Sequence, residues 1–233
     1  MPRISAVLDG SGEFANRPQR SYDDTALLMA ELVEHGYDSE RGMQVIRRIN
    51  RIHSRFDIGN EEFLYVLSTF HFEPIRWVER FGWRKLTPQE VCASYLFWCE
   101  VGRRMAIADI PTSNAAFEEW AADYEREHFR FATTNRRVAE ACRDLFLSWF
   151  WPPLRPLVRN GVYALMDEPM REAFGFPPAS APVRWLTVGL LKARSWGLRL
   201  APSRRKAHFI TSQPTRSWPD GYEIEELGPP DAP

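Results

Sequence analysis

Ile46, Ile49, His53 and Phe56 recur at steps of three, four and three residues. That spacing places all four side chains on one face of an α-helix and would scatter them over both faces of a strand. The stripe predicts a helix starting near Ser39 and broken by "DIGN", with a histidine among its core-facing residues. A core imidazole needs a partner for each ring nitrogen. Hydrogen-bonding groups and a metal are the two ways to supply one, and the stripe alone leaves both open.

Helical spacing dominates the rest of the chain as well. "YDDTALLMAELVEH" follows Ser21, with acids early and Gly36 placed to end it. Asn60 is placed to cap "EEFLYVLSTFHF", which Pro74 should bend or end. Thr87-Pro88-Gln89-Glu90 is the clearest local signal. Thr caps, Pro fills the first turn, and Glu reaches back to the cap backbone. The helix it opens is apolar over much of its circumference, hence central. Ser113 and Thr134 are placed to cap two further helices, and one more follows Pro182. No sustained alternation marks half-buried strands, and no internal repeat is visible. The expected fold is an all-α orthogonal multi-helix bundle with an irregular Pro/Trp-rich C-terminal third. Residues 1–206 are expected to form a single helical domain with a core over about 7–150, and 207–233 an extended tail in which "DGYEIEEL" is either a short strand or a docked segment.

Composition bounds the function. The chain has 233 residues, 44% of them hydrophobic, enough for a substantial core. A net charge of -1 gives no overall nucleic-acid footprint, so no nucleic-acid partner is expected. Three cysteines without a C-x-x-C pattern give neither a disulfide framework nor a Cys-based zinc site, and a reducing cytoplasm is the default location. "MPRISAVLDGSGEF" lacks the apolar region of a signal peptide, and "LFLSWFWPPL" is too short and too Pro-rich to span a bilayer.

Several catalytic patterns are missing: G-x-S-x-G, Gly-rich phosphate loops and H-E-x-x-H. The five histidines, at 35, 53, 71, 128 and 208, never pair at i, i+3 or i, i+4. A multi-histidine metal site is therefore a poor reading. A single axial histidine on haem iron needs no such cluster, because the porphyrin brings four nitrogens, and His53 suits that role. His71 is the rival and is expected to pack against aromatics. His35, beside Gly36, is expected to meet helix-end carbonyls. In "RPQRSYDDT", the acids are explained by a helix N-terminus alone. A functional reading adds Arg20 as a partner for a haem propionate and Thr25 as a hydrogen-bond donor to a ligand on the metal.

"GEFANRPQRSYDDTALL", "IRRINRIHSRFDIGNEEFLYVLSTF", "IRWVERFGWRKLTPQEVCASYLFWCEVGRRMAIADIP" and "YEREHF" occur in this order. As a set they resemble the MpaB-type oxygenases, which share a catalytic domain with the bacterial latex-clearing rubber oxygenases. The likeness runs over about residues 7–137 and more loosely over "YEIEELGP". It implies an all-α domain that holds haem b through one helical histidine and oxidises an isoprenoid double bond with O2. By position His53 matches the axial, iron-binding histidine, with Asn50 and Arg20 on the cofactor side. Thr25 matches a threonine of the rubber oxygenases' distal segment. Ser21 and Asp24 stand where those enzymes have an arginine and a lysine. Glu13 stands in for the acid/base glutamate at a different spacing. The candidate catalytic set is thus Thr25, Asp24 and Glu13. The implied partners are a lipophilic substrate, O2 and an electron donor. A non-catalytic haem- or lipid-binding or membrane-docking protein is the alternative.

Charge is uneven. Residues 151–206 carry ten Lys or Arg against three acids, and Trp149, Trp151, Trp185 and Trp196 lie in or beside them. Such a segment is either ordinary aromatic packing under a solvated basic face or a surface for an anionic bilayer. The second reading places the protein peripherally, through segment 149–206, on the inner face of a membrane.

Overall fold

Thr87, Pro88 and Glu90 behave as their spacing predicts. The Thr87 hydroxyl accepts from the Glu90 amide at 3.2 Å, and the Glu90 carboxylate accepts from the Thr87 amide at 2.8 Å. In the computed structural model, which describes residues 1–202 and 206–229, this box opens α6, Pro88–Arg104. The described residues form eleven α-helices and no strand, as an all-α chain should. They are α1 (Pro2–Gly10), α2 (Glu13–Asn16), α3 (Pro18–His35), α4 (Glu40–His53), α5 (Asn60–Phe81), α6, α7 (Asn114–His128), α8 (Thr133–Ser148), α9 (Arg155–Leu165), α10 (Glu168–Ala173) and α11 (Ala181–Leu200).

Ser39 and Ser113 cap α4 and α7 by accepting from the amides of Gly42 and Ala116. Gly36, at φ +80°, ends α3 in a conformation that favours glycine. Other expected boundaries move. α3 starts at Pro18, three residues before Ser21, because proline suits a first helical turn. Asn60 is already helical, and its side chain exchanges two hydrogen bonds with the Ala108 backbone, tying α5 to the loop after α6. Thr134 likewise lies inside α8, bonded to the Ser5 hydroxyl. Pro74 does not end α5, which runs seven residues past it. The C-terminal third is not irregular between 155 and 200, where α9, α10 and α11 form.

The core joins α3, α4, α5, α6 and α7. Leu27, Leu32, Val45 and Phe117 are completely enclosed, with Leu64 and Val101 nearly so. Each such leucine contributes about 2 kcal/mol by leaving water. Part of the core comes from the tail, since Trp218, Ile224 and Leu227 are buried against these helices. "DGYEIEEL" is therefore a docked segment with one 3-10 turn at Ile224–Glu226. Polar groups fix its path. Ser217 and Trp218 donate to Asp23 and Asp24, Tyr222 donates to Glu31 at 2.6 Å, and Arg48 donates to the Leu227 carbonyl at 2.8 Å. The last four residues of the expected tail, and Arg204 and Arg205 of the basic segment, lie outside the described residues.

Candidate functional site

The stripe on α4 ends at one wall of a cavity of about 350 Å3. α3 supplies Ser21, Asp24, Thr25, Leu28 and Met29, and α4 supplies Ile49, Ile52 and His53. α5 presents Phe63, Val66, Leu67 and Phe70 at i, i+3, i+4 and i+7. Trp98 and Val101 of α6 lie opposite, α1 and α2 add Leu8, Glu13 and Phe14, and the tail closes one side with Gly228 and Pro229. The volume falls within the roughly 300–1,000 Å3 of ligand pockets, and the wall is overwhelmingly apolar.

His53 is the anomaly in that wall. Its Nδ1 is fully enclosed and has no hydrogen-bond partner. No described residue bonds the ring, and Phe63 lies beside it, tilted by 52° with centroids 5.2 Å apart. Burial holds its pKa below the usual imidazole value, so the ring is neutral at pH 7 and keeps a lone pair for a ligand. His71 is the opposite case. It is completely buried, with Nδ1 2.8 Å from the Ser94 hydroxyl and Nε2 2.6 Å from the Asn114 carbonyl oxygen. It packs against Phe72 and Tyr95 as the sequence predicts, and its polar partners leave no position for a metal. His35 meets Glu31 at 3.2 Å rather than helix-end carbonyls, because that buried carboxylate lies one turn back on the same helix.

The other candidates divide. Thr25 lines the cavity, and no described residue takes its hydroxyl as a partner. Glu13 also lines it, with both carboxylate oxygens within 2.8 Å of one Arg17 nitrogen. Asp24 borders it, but its carboxylate accepts from Trp218 Nε1 at 2.7 Å and from the Gly228 amide at 3.0 Å. Its pKa is raised, burial outweighing those hydrogen bonds and the nearby Arg20 and Arg17. Arg20 and Asn50 are not part of the wall. The Arg20 guanidinium sits 3.8 Å over the Trp218 ring and its Nε lies 3.8 Å from Asp24, which places it against the tail rather than in the cavity wall. Asn50 donates to the Arg104 carbonyl at 3.1 Å and ties α4 to α6. The α5 stripe and Gly228 were not among the expected site residues. The former was readable from its helical spacing. Gly228 was not, because only the fold brings it beside Ile52, where a Cβ would lie 2.5 Å from Ile52 Cδ1.

Among the described residues no group of three or more His, Cys, Asp or Glu could hold a metal ion. A neutral imidazole whose Nδ1 has no partner, in a largely apolar wall, is compatible in its chemistry with a single-histidine haem site, in which the porphyrin would bring the other four nitrogens. A second cavity of about 430 Å3, between α1, α8 and α9, shares Leu8 with the first but has no histidine.

These residues line one largely apolar cavity of an all-α fold. The chain belongs to the family described as "ER-bound oxygenase mpaB/B'/Rubber oxygenase, catalytic domain", whose model matches residues 1–196. It is 29% identical over 232 residues to the ER-bound oxygenase mpaB' of Penicillium brevicompactum, an alignment covering 91% of this chain and 55% of that protein. It is 29% identical over 167 residues to the ER-bound oxygenase mpaB of the same fungus, covering 64% and 42%. The ER-bound oxygenase mpaB of Penicillium roqueforti is 27% identical over 192 residues, covering 74% and 64%. The chain thus spans about half the length of the curated relatives it matches.

Proposed function

We propose that this chain is an oxygenase that holds haem b through His53 and oxidises a double bond of a lipophilic, isoprenoid-type substrate with O2. The observation that carries the reading is the His53 imidazole, neutral and bonded to nothing, in the wall of an apolar cavity. Bound haem would supply the iron at which O2 is activated, with electrons from an external donor. The chain's own residues do the rest. Phe63, Phe70, Trp98 and Leu28 exclude water and take up the prenyl chain, at about 0.8 kcal/mol per buried CH2. Thr25 supplies a hydroxyl that can donate to a polar atom in the chamber. Glu13 offers a carboxylate, oriented by Arg17, as a proton acceptor. Asp24 serves as a positioning residue, holding the tail across the chamber through Trp218 and Gly228. A lipophilic substrate is drawn most directly from a membrane, and the basic, Trp-rich segment 149–206 supports peripheral contact with one. Among the described residues no helix is long and apolar enough to cross a membrane.

The test is optical. Purified protein titrated with haemin should develop a Soret band that saturates at one equivalent, and His53→Ala should abolish it. With reductant, O2 and a prenyl substrate, the loaded protein should yield an oxygenated product. A titration that shows only the spectrum of free haemin contradicts the proposal.

A further inference from the structure

α11 packs on the rest of the protein along one stripe, and near its end Arg199 also donates to the Trp83 carbonyl at 2.8 Å. Val183, Thr187, Leu191 and Ser195 recur every fourth residue, all at least half-buried. Ser195 donates to the Phe81 carbonyl, and Thr187 lies close against Gly161 of α9. At about 100° per residue, the positions from Trp185 round to Leu190 form an arc of roughly 140° on the other side of the helix. The large side chains on that arc are Trp185, Leu186, Leu190, Trp196 and Leu200, and it contains no charged residue. They are far from buried: Trp185 is 78% exposed, Leu190 62%, Trp196 66% and Leu200 75%. Lys192 and Arg199 flank the arc on one edge and Arg194 on the other, and α11 has no acidic residue at all. Monomeric proteins rarely leave so long an apolar strip in water.

We infer that this face of α11 lies in the headgroup region of an anionic lipid bilayer, with Trp185 and Trp196 as anchors and Lys192 and Arg194 against the lipid phosphates. The inference rests on the reading of a membrane-facing oxygenase and narrows segment 149–206 to one face of one helix. The pattern is that of an in-plane amphipathic helix, with tryptophans and leucines inward and cations at the rim. The buried stripe keeps α11 attached to the protein, so it lies flat rather than crossing. A second copy of the chain fits the face less well, because a twofold contact would bring the same cations together at its rim with no acid to meet them.

Co-sedimentation of the full chain with phosphatidylcholine vesicles, with and without phosphatidylserine, tests this. The wild type should pellet with the anionic vesicles, and rising salt should release it. Trp185→Ser combined with Trp196→Ser should weaken binding about tenfold on any vesicle. Lys192→Gln and Arg194→Gln should each cost about fivefold on anionic vesicles and nothing on neutral ones. All three variants should titrate with haemin as the wild type does, and haem-free protein should bind vesicles as well as loaded protein. A failed haem titration therefore overturns the oxygenase reading and leaves the vesicle result intact. Wild type that stays in the supernatant, or a tryptophan variant that pellets as the wild type does, overturns the inference. So does a tryptophan variant whose only change is from dimer to monomer in sedimentation velocity.

Discussion

His53 and His71 lie on neighbouring helices, both facing inward, and the fold treats them in opposite ways. His71 on α5 is sealed between Ser94 of α6 and Asn114 of α7, with a partner on each nitrogen. His53 on α4 has none and borders open space. The difference shows how a fold separates an imidazole with both nitrogens satisfied from one left with an unpaired nitrogen beside a cavity. Burial lowers the pKa of both rings. What distinguishes them is whether the neighbouring helices bring hydrogen-bonding groups or hydrocarbon. A buried polar atom without a partner costs about 1–3 kcal/mol.

The comparison breaks most readily at the two histidines themselves. His53→Ala should remove haem binding altogether and change stability in urea by less than about 1 kcal/mol, because relief of the unpaired nitrogen offsets the lost ring packing. His71→Ala should do the reverse. It should keep haem binding but lose about 3–4 kcal/mol of stability, since Ser94 and Asn114 are left unpaired around a cavity. Loss of haem binding with His71→Ala in a protein that is still folded would erase the distinction. Asn114→Ala should cost about 1–3 kcal/mol, largely absent in the His71→Ala background, and a double-mutant cycle in urea reads that coupling. Gly228→Ala should cost about 1–3 kcal/mol and loosen the tail at the mouth of the His53 chamber. Its φ of +93° and the nearby Ile52 side chain leave no room for a Cβ. Limited proteolysis of the tail would report the loosening.

The smallest predicted effect is with pH. Both histidines hold folded pKa values below 6.5, so the unfolded chain binds protons first as pH falls. Stability from these rings is complete above pH 6.5 and declines as pH drops from there toward the folded values. His71→Gln should flatten part of that slope in urea melts at successive pH values. Haem release from the wild type should likewise have its midpoint below 6.5, because neutral imidazole persists to that point.

Much of this was legible in the chain. Ser39, Thr87 and Ser113 announce their helices because capping is a local interaction, and the α4 stripe places His53 by spacing alone. α1, α2, α9 and α10 were not foreseen. α1, α2 and α10 are short, whereas α9 carries Leu157, Val158, Val162 and Leu165 at helical spacing and was readable despite the prolines around its start. The docking of the tail was equally hidden. Its anchors Trp218, Ile224 and Leu227 follow no helical or strand spacing, and their partners on α3 and α4 are distant in sequence. That same docking explains why Arg20 misled. An arginine near a candidate site reads as a ligand for an anion until the fold brings an indole under it. Thr25 was reached from its cluster and then by resemblance, Glu13 by resemblance alone, and both line the cavity.

The most direct measurement is a haemin titration of the wild type, His53→Ala and His71→Ala, followed by absorbance in the Soret region. The wild type and His71→Ala should saturate at one equivalent and His53→Ala should show only free haemin. A wild type that never departs from free haemin, or a His53→Ala protein that saturates like it, would contradict the account.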